Sequence, residues 1–467
     1  MATTVHFSNG NFYGPSSPTG PGTAIVDPFA NILADGAGVT ALELNSGPWT
    51  VTINGSVRSN QFYAVELSIS GSFVSNLAIG RDGDVFAGGF GAILAMHPTN
   101  ITNSGRITGP VNSGIAITEG GSGNYAIKNL KSGLIEGFNG IQIFGTGVHT
   151  IVNAGTISTP ISALAIDTHE GAEHVTNWGR ISGLISLGDG NDIFTNFHKV
   201  GRVIKNGITE AQINLGEGND TFNGGSAGEI VQDAGGKDTI NLGRGADQFF
   251  GVLGGGTDLA DRIDGGKGID TYDAPPGFLA VSINLDSVTH TDSIYGRTVA
   301  ANLAHDAVNA SNPGDRILKF ENATGGLGAD SIFGTKGANV LSGSAGADHL
   351  YGFGGKDTLT GGSEADIFVF TSLKDSGPTK ATRDTITDFE GAGVGGGDVI
   401  DLSAINAQLG NVHFIGTTVD FDSSAGAVRA VWVGSETIVQ LDKDGDKDAD
   451  FSIALSGNLT LDADFGL

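Results

Sequence analysis

Apolar positions along this chain do not recur with a helical period. They fall in short runs rich in Val and Ile, often alternating with polar residues and broken by Gly, Asn, Asp and Ser. That pattern predicts an all-β protein. Residues 1–97 hold strand-like pieces such as TALELNSGPWTVTINGSV and QFYAVELSIS, with no motif attached. Beyond them the pattern becomes periodic. ITNSGRITG, IKNLKSGLIEG, IVNAGTIST and VTNWGRISG share an N-x-G-x-I core, loosened by two residues in the second copy. Their asparagines, Asn103, Asn129, Asn153 and Asn177, are spaced 26, 24 and 24 residues apart. One such unit per coil predicts a β-solenoid over 98–184, with Ile and Val inside and the asparagines paired from coil to coil. A looser copy, TNFHKVGRV, follows at 195–203.

A second repeat then takes over. LGDGNDIF, which holds Asp192, is followed 28 residues later by LGEGNDTF, which holds Asp220. From Asp220 an acidic residue recurs every nine positions: Glu229, Asp238, Asp247 and, after a slip, Asp261 and Asp270. The lattice is clearest in GGLGADSIFGTKGANVLSGSAGADHLYGFGGKDTLTGGSEADIFVF, residues 325–370, as Asp330, Asn339, Asp348, Asp357 and Asp366. Two places after each comes a large apolar residue: Ile332, Leu341, Leu350, Leu359, Phe368. Residues 274–324 interrupt the repeat, and 371–467 form a different β-rich segment ending in LDADFGL.

Charge turns this periodicity into chemistry. The 467 residues carry 51 Asp plus Glu against 24 Lys plus Arg, a net −27, so most lattice carboxylates have no basic side chain to meet. Such a surface repels nucleic acid and anionic membrane and attracts cations. The unit G-G-x-G-x-D-x-U-x, with U large and apolar, reads as a six-residue glycine turn and a three-residue strand. Two units make an 18-residue coil, which places residues i and i+18 on one side about 4.8 Å apart. Two carboxylates at that distance repel by roughly 3 kcal/mol at an effective dielectric of ~20. A hard divalent cation between coils reverses the sign, and six to eight carboxylate and carbonyl oxygens suit calcium better than magnesium. The candidate ligands are Asp192, Asp220, Asp238, Asp247, Asp270, Asp330, Asp348, Asp357 and Asp366. Glu229, Asn339 and Glu364, which depart from the unit, mark weaker turns.

This nonapeptide resembles the RTX calcium-binding repeat. GGKGID, GGLGAD and GSAGAD match it, and KFENATGGLGADSIFG resembles the segment that leads into such arrays. DTITDF, GDVIDLSAI and DKDGDKDADFSIALSG resemble the C-terminal domain of serralysin-type and other type I secreted proteins. The upstream asparagine repeat is similar to passenger regions of bacterial surface proteins. The resemblance implies a right-handed parallel β-solenoid continuing into RTX β-rolls, with a C-terminal β-rich secretion domain. The boundaries read as 1–97, 98–184, 185–273, 274–324, 325–370 and 371–467. It further implies several calcium ions, a type I secretion partner, and a secreted or surface location on a Gram-negative bacterium. Nothing in the sequence spans a membrane, and MATTVHFSNG lacks the charged and apolar regions of a Sec signal peptide.

Several catalytic look-alikes fail on spacing or context. HEGAEH puts His169 and His174 five apart, whereas a zinc-protease HExxH needs four on a helix. GGSAG around Ser226 lies inside a nonapeptide, without the strand–elbow–helix of a hydrolase nucleophile. Asp442 to Asp450 form an acidic comb in which Lys447 and Ile453 stand where an EF-hand needs Gly and Glu. It reads as a solvated acidic hairpin, with a further calcium site as the alternative. Cysteine is absent, which removes thiol chemistry. Arg180, Lys199, Arg202 and Lys205 would line a groove if the protein were a polysaccharide lyase or epimerase, but scattered surface charge explains them as well. Trp49, Trp178 and Trp432 lie too far apart in sequence to suggest a sugar-stacking platform. The expectation is therefore a non-enzymatic, calcium-dependent surface-layer, filament or adhesin subunit. It would self-associate, with cell-surface polysaccharide as a further candidate partner. The alternative is an extracellular carbohydrate-active enzyme.

Overall fold

The structure is a computed structural model that describes residues 3–13, 16–18, 20–37, 39–45, 47–68, 73–117, 123–160, 163–197, 213–251, 260–274, 280–292, 294–307, 314–391, 397–462 and 464–467. The chain divides into two compact units, Met1–Gly245 and Ala246–Leu467. Among the described residues no helix is long and apolar enough to cross a membrane.

The first unit is a stack of parallel rungs. Its first face runs through Thr3–Phe7, Gly22–Val26, Trp49–Ile53, Ser75–Ile79 and Thr99–Asn103, each paired in parallel with the next. The stack continues through Ala126–Asn129, Val148–Asn153, Ala172–Asn177, Ile193–Asn196, Thr221–Asn223 and Thr239–Asn241. Alternation within each strand does the sorting: Trp49, Val51 and Ile53 are buried while Thr50 faces water. A second face begins at Gly10–Tyr13 and Ala30–Ala34 and ends, among the described residues, at Thr156–Ser158 and Arg180–Ser182. A third runs from Leu42–Asn45 and Val65–Ser68 to Ile213–Asn214 and Ile230–Gln232. The coils are three-sided up to Arg180–Ser182. They become two-sided where the nonapeptides begin.

Stacking does not wait for residue 98, where the asparagine motif starts. The same rungs include residues 3–97, because Ile53 and Ile79 occupy the register position that Asn103 takes in the next coil. These aliphatic side chains fill the position by burial alone. What persists across the change is the turn glycine. A Cβ on Gly105 would lie 2.3 Å from both the Gly80 and Gly83 carbonyls, so the close approach of successive turns excludes any side chain there.

The second unit has two faces. One runs through Val281–Asn284, Ser331–Phe333, His349–Tyr351, Ile367–Val369, Val399–Asp401 and Phe465–Gly466. The other runs from Gln248–Phe250 through Thr271–Asp273, Asn322–Thr324, Val340–Ala345, Thr358–Ser363 and Asp384–Ile386 to Phe451–Ser456. The apolar residue of every nonapeptide is buried between them, from Phe249 and Tyr272 to Leu359 and Phe368. The interruption at 274–324 breaks the sequence period but not the stack. Val281–Asn284 pairs in parallel with Ser331–Phe333, and Asp315–Leu318 pairs in parallel with Arg262–Asp264. The hairpin of His290–Asp292 and Arg297–Val299 covers one face, burying Val299 against Phe333, Tyr351 and Val369. Its Asp292 is buried and accepts bonds from Ser331 Oγ (2.6 Å), His349 Nδ1 (2.8 Å) and Tyr351 Oη (3.1 Å).

Candidate metal centres in the acidic columns

Each lattice acid precedes a strand, so parallel stacking lines the acids up. In the first unit Glu173, Asp192, Asp220 and Asp238 form one column. The Glu173 amide donates to Asp192 Oδ1 at 2.7 Å, Asp192 to Asp220 Oδ1 at 2.7 Å, and Asp220 to Asp238 Oδ1. Asp233 joins this column's end, with one oxygen of each of Asp220, Asp233 and Asp238 within 4.8 Å of the others. Glu229 stands elsewhere. It accepts a 3.0 Å bond from Asn196 Nδ2 and ends the asparagine ladder.

The second unit carries two such columns. In one, the Asp330 amide donates to Asp348 Oδ1 (2.8 Å), Asp348 to Asp366 (2.9 Å) and Asp366 to Asp398 (3.0 Å). In the other, Asp247 donates to Asp270 (2.9 Å), Asp270 to Glu321 Oε2 (2.9 Å), Asn339 to Asp357 (2.8 Å) and Asp357 to Asp384 (2.8 Å). Asp330, Asp348 and Asp366 therefore share one side, and Asn339 and Asp357 the other. Glu173, Glu321, Asp384 and Asp398 extend these columns, Asp315 accepts from the Asp261 amide at 3.3 Å, and all five were absent from the candidate ligands. All but Glu321 are followed two places on by Val or Ile, but at intervals other than nine.

The second carboxylate oxygen distinguishes the members. Oδ2 of Asp192, Asp270, Asp348, Asp357, Asp366 and Asp384 is buried and accepts no hydrogen bond. A buried oxygen without a donor is costly. Asp330 differs, since Val281 and Gly326 amides occupy its two oxygens at 2.6 and 2.7 Å. Asn339 closes its turn without an ion: Oδ1 accepts from the Thr335 amide at 2.7 Å, and Nδ2 donates to the Glu321 carbonyl. Burial pushes Asp348 up to about 9, with Asp330, Asp366 and Glu364 adding repulsion. Burial likewise raises Asp357 to about 8 and Asp330, Asp366 and Asp384 to about 7. Asp270 rises to about 6, again first by burial. Asp292 goes the other way. Burial opposes its charge, but bonds from His349 and Ser331 hold it well below the usual carboxylate range.

Residues 268–467 match the family described as Peptidase M10 serralysin C terminal. Residues 212–228 and 223–258 match the RTX calcium-binding nonapeptide repeat. The chain therefore carries RTX calcium-binding repeats and a serralysin-type C-terminal region. It is secreted and binds calcium. No curated protein matches the chain. A subunit of the Azotobacter vinelandii mannuronan C5-epimerase, solved in solution, is 29% identical over 28% of this chain and 71% of its own, with a TM-score of 0.16.

The columns fit the cation. Asp192, Asp270, Asp348, Asp357, Asp366 and Asp384 offer buried oxygens that hydrogen bonding leaves over, and they are the residues that would hold calcium. Bound calcium would neutralise stacked charge and complete its shell with turn carbonyls. The acidic comb is different. Asp442 accepts from the Gly445 and Lys447 amides at 2.7 and 2.8 Å, and Asp450 from Lys443 Nζ at 2.8 Å. One oxygen each of Asp442, Asp444 and Asp450 nevertheless lies within 4.8 Å of the others.

His174 is exposed on the strand that buries Glu173, and His169 stacks on Phe144 at 4.3 Å. Ser226 sits in an exposed bend. Arg180 is exposed, while Lys199, Arg202 and Lys205 lie outside the described residues. Trp49 is buried in the core, and Trp178 stacks on Phe197 at 3.8 Å on the surface.

Proposed function

We propose that this secreted calcium-binding protein is a structural subunit of the bacterial cell surface or extracellular matrix. It would be a surface-layer, filament or adhesin component, exported by type I machinery and self-associating once calcium has folded it. The observation that carries the reading is the set of acidic columns. Buried carboxylates recur on successive rungs in both units, so the repeat itself is the calcium site, and the fold is a scaffold whose rigidity is set by the ion. The open groove along the first unit is rimmed by Glu170, Asp189 and Glu217, a charge that disfavours polyuronate substrates. Electron microscopy of the purified protein tests the reading. Ordered assemblies in millimolar calcium that disperse in chelator are expected. Single particles in calcium, together with turnover of alginate or pectin, would replace it with the carbohydrate-active reading.

A further inference from the structure

The acidic column of the first unit starts before the nonapeptides do. Asp192 belongs to the first glycine-rich turn, but Glu173 lies one coil earlier, on the strand Ala172–Asn177 that also carries Asn177 of the asparagine ladder. The register that pairs His174 with Ile193 sets Glu173 directly against Asp192. Both side chains are buried, at 0% and 1% exposure. Neither Glu173 oxygen accepts a hydrogen bond, nor does Asp192 Oδ2. The Thr168 hydroxyl donates to the Leu187 carbonyl and also faces Glu173. Among the described residues no Lys or Arg answers the two acids. His149, one rung back, approaches Glu173 Oε1 only to 3.8 Å, and the same Nε2 faces the Gly145 carbonyl at 3.2 Å, which commits its proton there.

Two buried carboxylates in contact share either a proton or a cation. We infer that Glu173 and Asp192 hold a divalent cation between them, a calcium site outside the nonapeptide motif that ties the last asparagine coil to the first RTX coil. The route to it is visible. A groove of roughly 1020 Å³ opens over Gly171, Ala172, Gly190 and Asn191, the residues just before the two acids. Its rim carries the exposed carboxylates Glu170, Asp189 and Glu217 on successive coils. Stacked charge around a concave opening concentrates cations at its mouth.

The inference rests on the calcium reading of the columns, so the test carries a control in the second unit. Calcium ions bound to the full chain are counted by native mass spectrometry for wild type, Glu173→Gln and Asp348→Ala. Glu173→Gln is expected to carry one ion fewer than wild type. Equal counts for Glu173→Gln and wild type, with a loss in Asp348→Ala, would leave the RTX sites standing and show that Glu173 and Asp192 share a proton. A wild-type chain without ions would overturn both readings together. If the glutamine variant does not fold, Glu173→Asp keeps the charge but shortens its reach. It should then release one ion at about tenfold lower chelator, and an unchanged release curve would overturn the site.

Discussion

The asparagine ladder and the aspartate columns use the same backbone spacing in opposite ways. Asn103 donates to Asn129 at 2.9 Å, Asn129 to Asn153 at 2.9 Å and Asn153 to Asn177 at 2.8 Å. An amide carries its own donor and acceptor, so the ladder closes on itself. A carboxylate has only acceptors. The backbone amide of the preceding coil satisfies one oxygen, and the other is left for a cation. Replacing one polar atom per coil thus separates a self-sufficient stack from one that depends on its solvent.

The largest effect expected from this difference is regional unfolding on chelation. With calcium removed, amide hydrogen exchange should accelerate throughout the rungs Ser331–Phe333 to Ile367–Val369 while the rungs Thr99–Asn103 to Ala172–Asn177 stay protected. Each ion at a concentration 100-fold above its Kd adds ~2.7 kcal/mol. Uniform loss of protection would erase the distinction between the two stacks.

The pH dependence should be next in size. In the calcium-free fold Asp348, Asp357, Asp330, Asp366 and Asp384 have carboxyls raised to between about 7 and about 9. Raised values mean that the folded state binds protons the unfolded chain has released. The calcium-free columns are therefore most stable below the ordinary carboxylate range of ~4 and lose that stability as pH rises through 7 to 9. Thermal melts in chelator should show a lower midpoint at pH 9 than at pH 5. In calcium the trend should reverse, because the ion competes with those protons.

Asp348→Asn sharpens the point at one residue. The amide keeps the shape and removes the most strongly raised charge of its column. In chelator at pH 8 the variant should be more stable than wild type, on the order of a few kcal/mol. In a calcium titration it should fold at higher calcium. Asn153→Ala is the counterpart in the ladder. It strips partners from Asn129, Asn177 and the Arg180 carbonyl and should cost about 1–3 kcal/mol, equally with and without calcium. The smallest effect belongs to Glu364, which holds φ at +83° where the repeat usually has glycine. Glu364→Gly should gain about 1 kcal/mol in chemical denaturation, since only the left-handed backbone strain is relieved.

The fold was legible because its period is written twice, in glycine turns and in the apolar residue that follows each acid. What escaped reading did so for definite reasons. The coils before residue 98 keep the G-x-V core at Gly55-Ser-Val57 and Gly83-Asp-Val85 but place Ile53 and Ile79 where asparagine stands later, so the asparagine period begins only at Asn103. Asp384 and Asp398 carry the same acid-x-apolar signature as their stacked neighbours Asp357 and Asp366. They follow them by 27 and 32 residues instead of 18, because excursions leave the stack and return to it. Glu173 was hidden by its neighbours: within HEGAEH it looked like part of a failed metalloprotease motif. Register with Asp192 is what gives it meaning, and register is not visible in a linear sequence.

The amide-to-carboxylate bonds all run one way. Asp330 leans on Asp348, Asp348 on Asp366 and Asp366 on Asp398, so each acid's amide is answered by a coil that comes later in the chain. The column therefore has a polarity. Cutting away the final rung strands the amide of the acid before it, while cutting away the first only frees a carboxylate oxygen, which a cation can claim. Order should accordingly grow from the C-terminal rungs toward the N-terminal ones, like a row of roof tiles that must be laid from the lower edge upward.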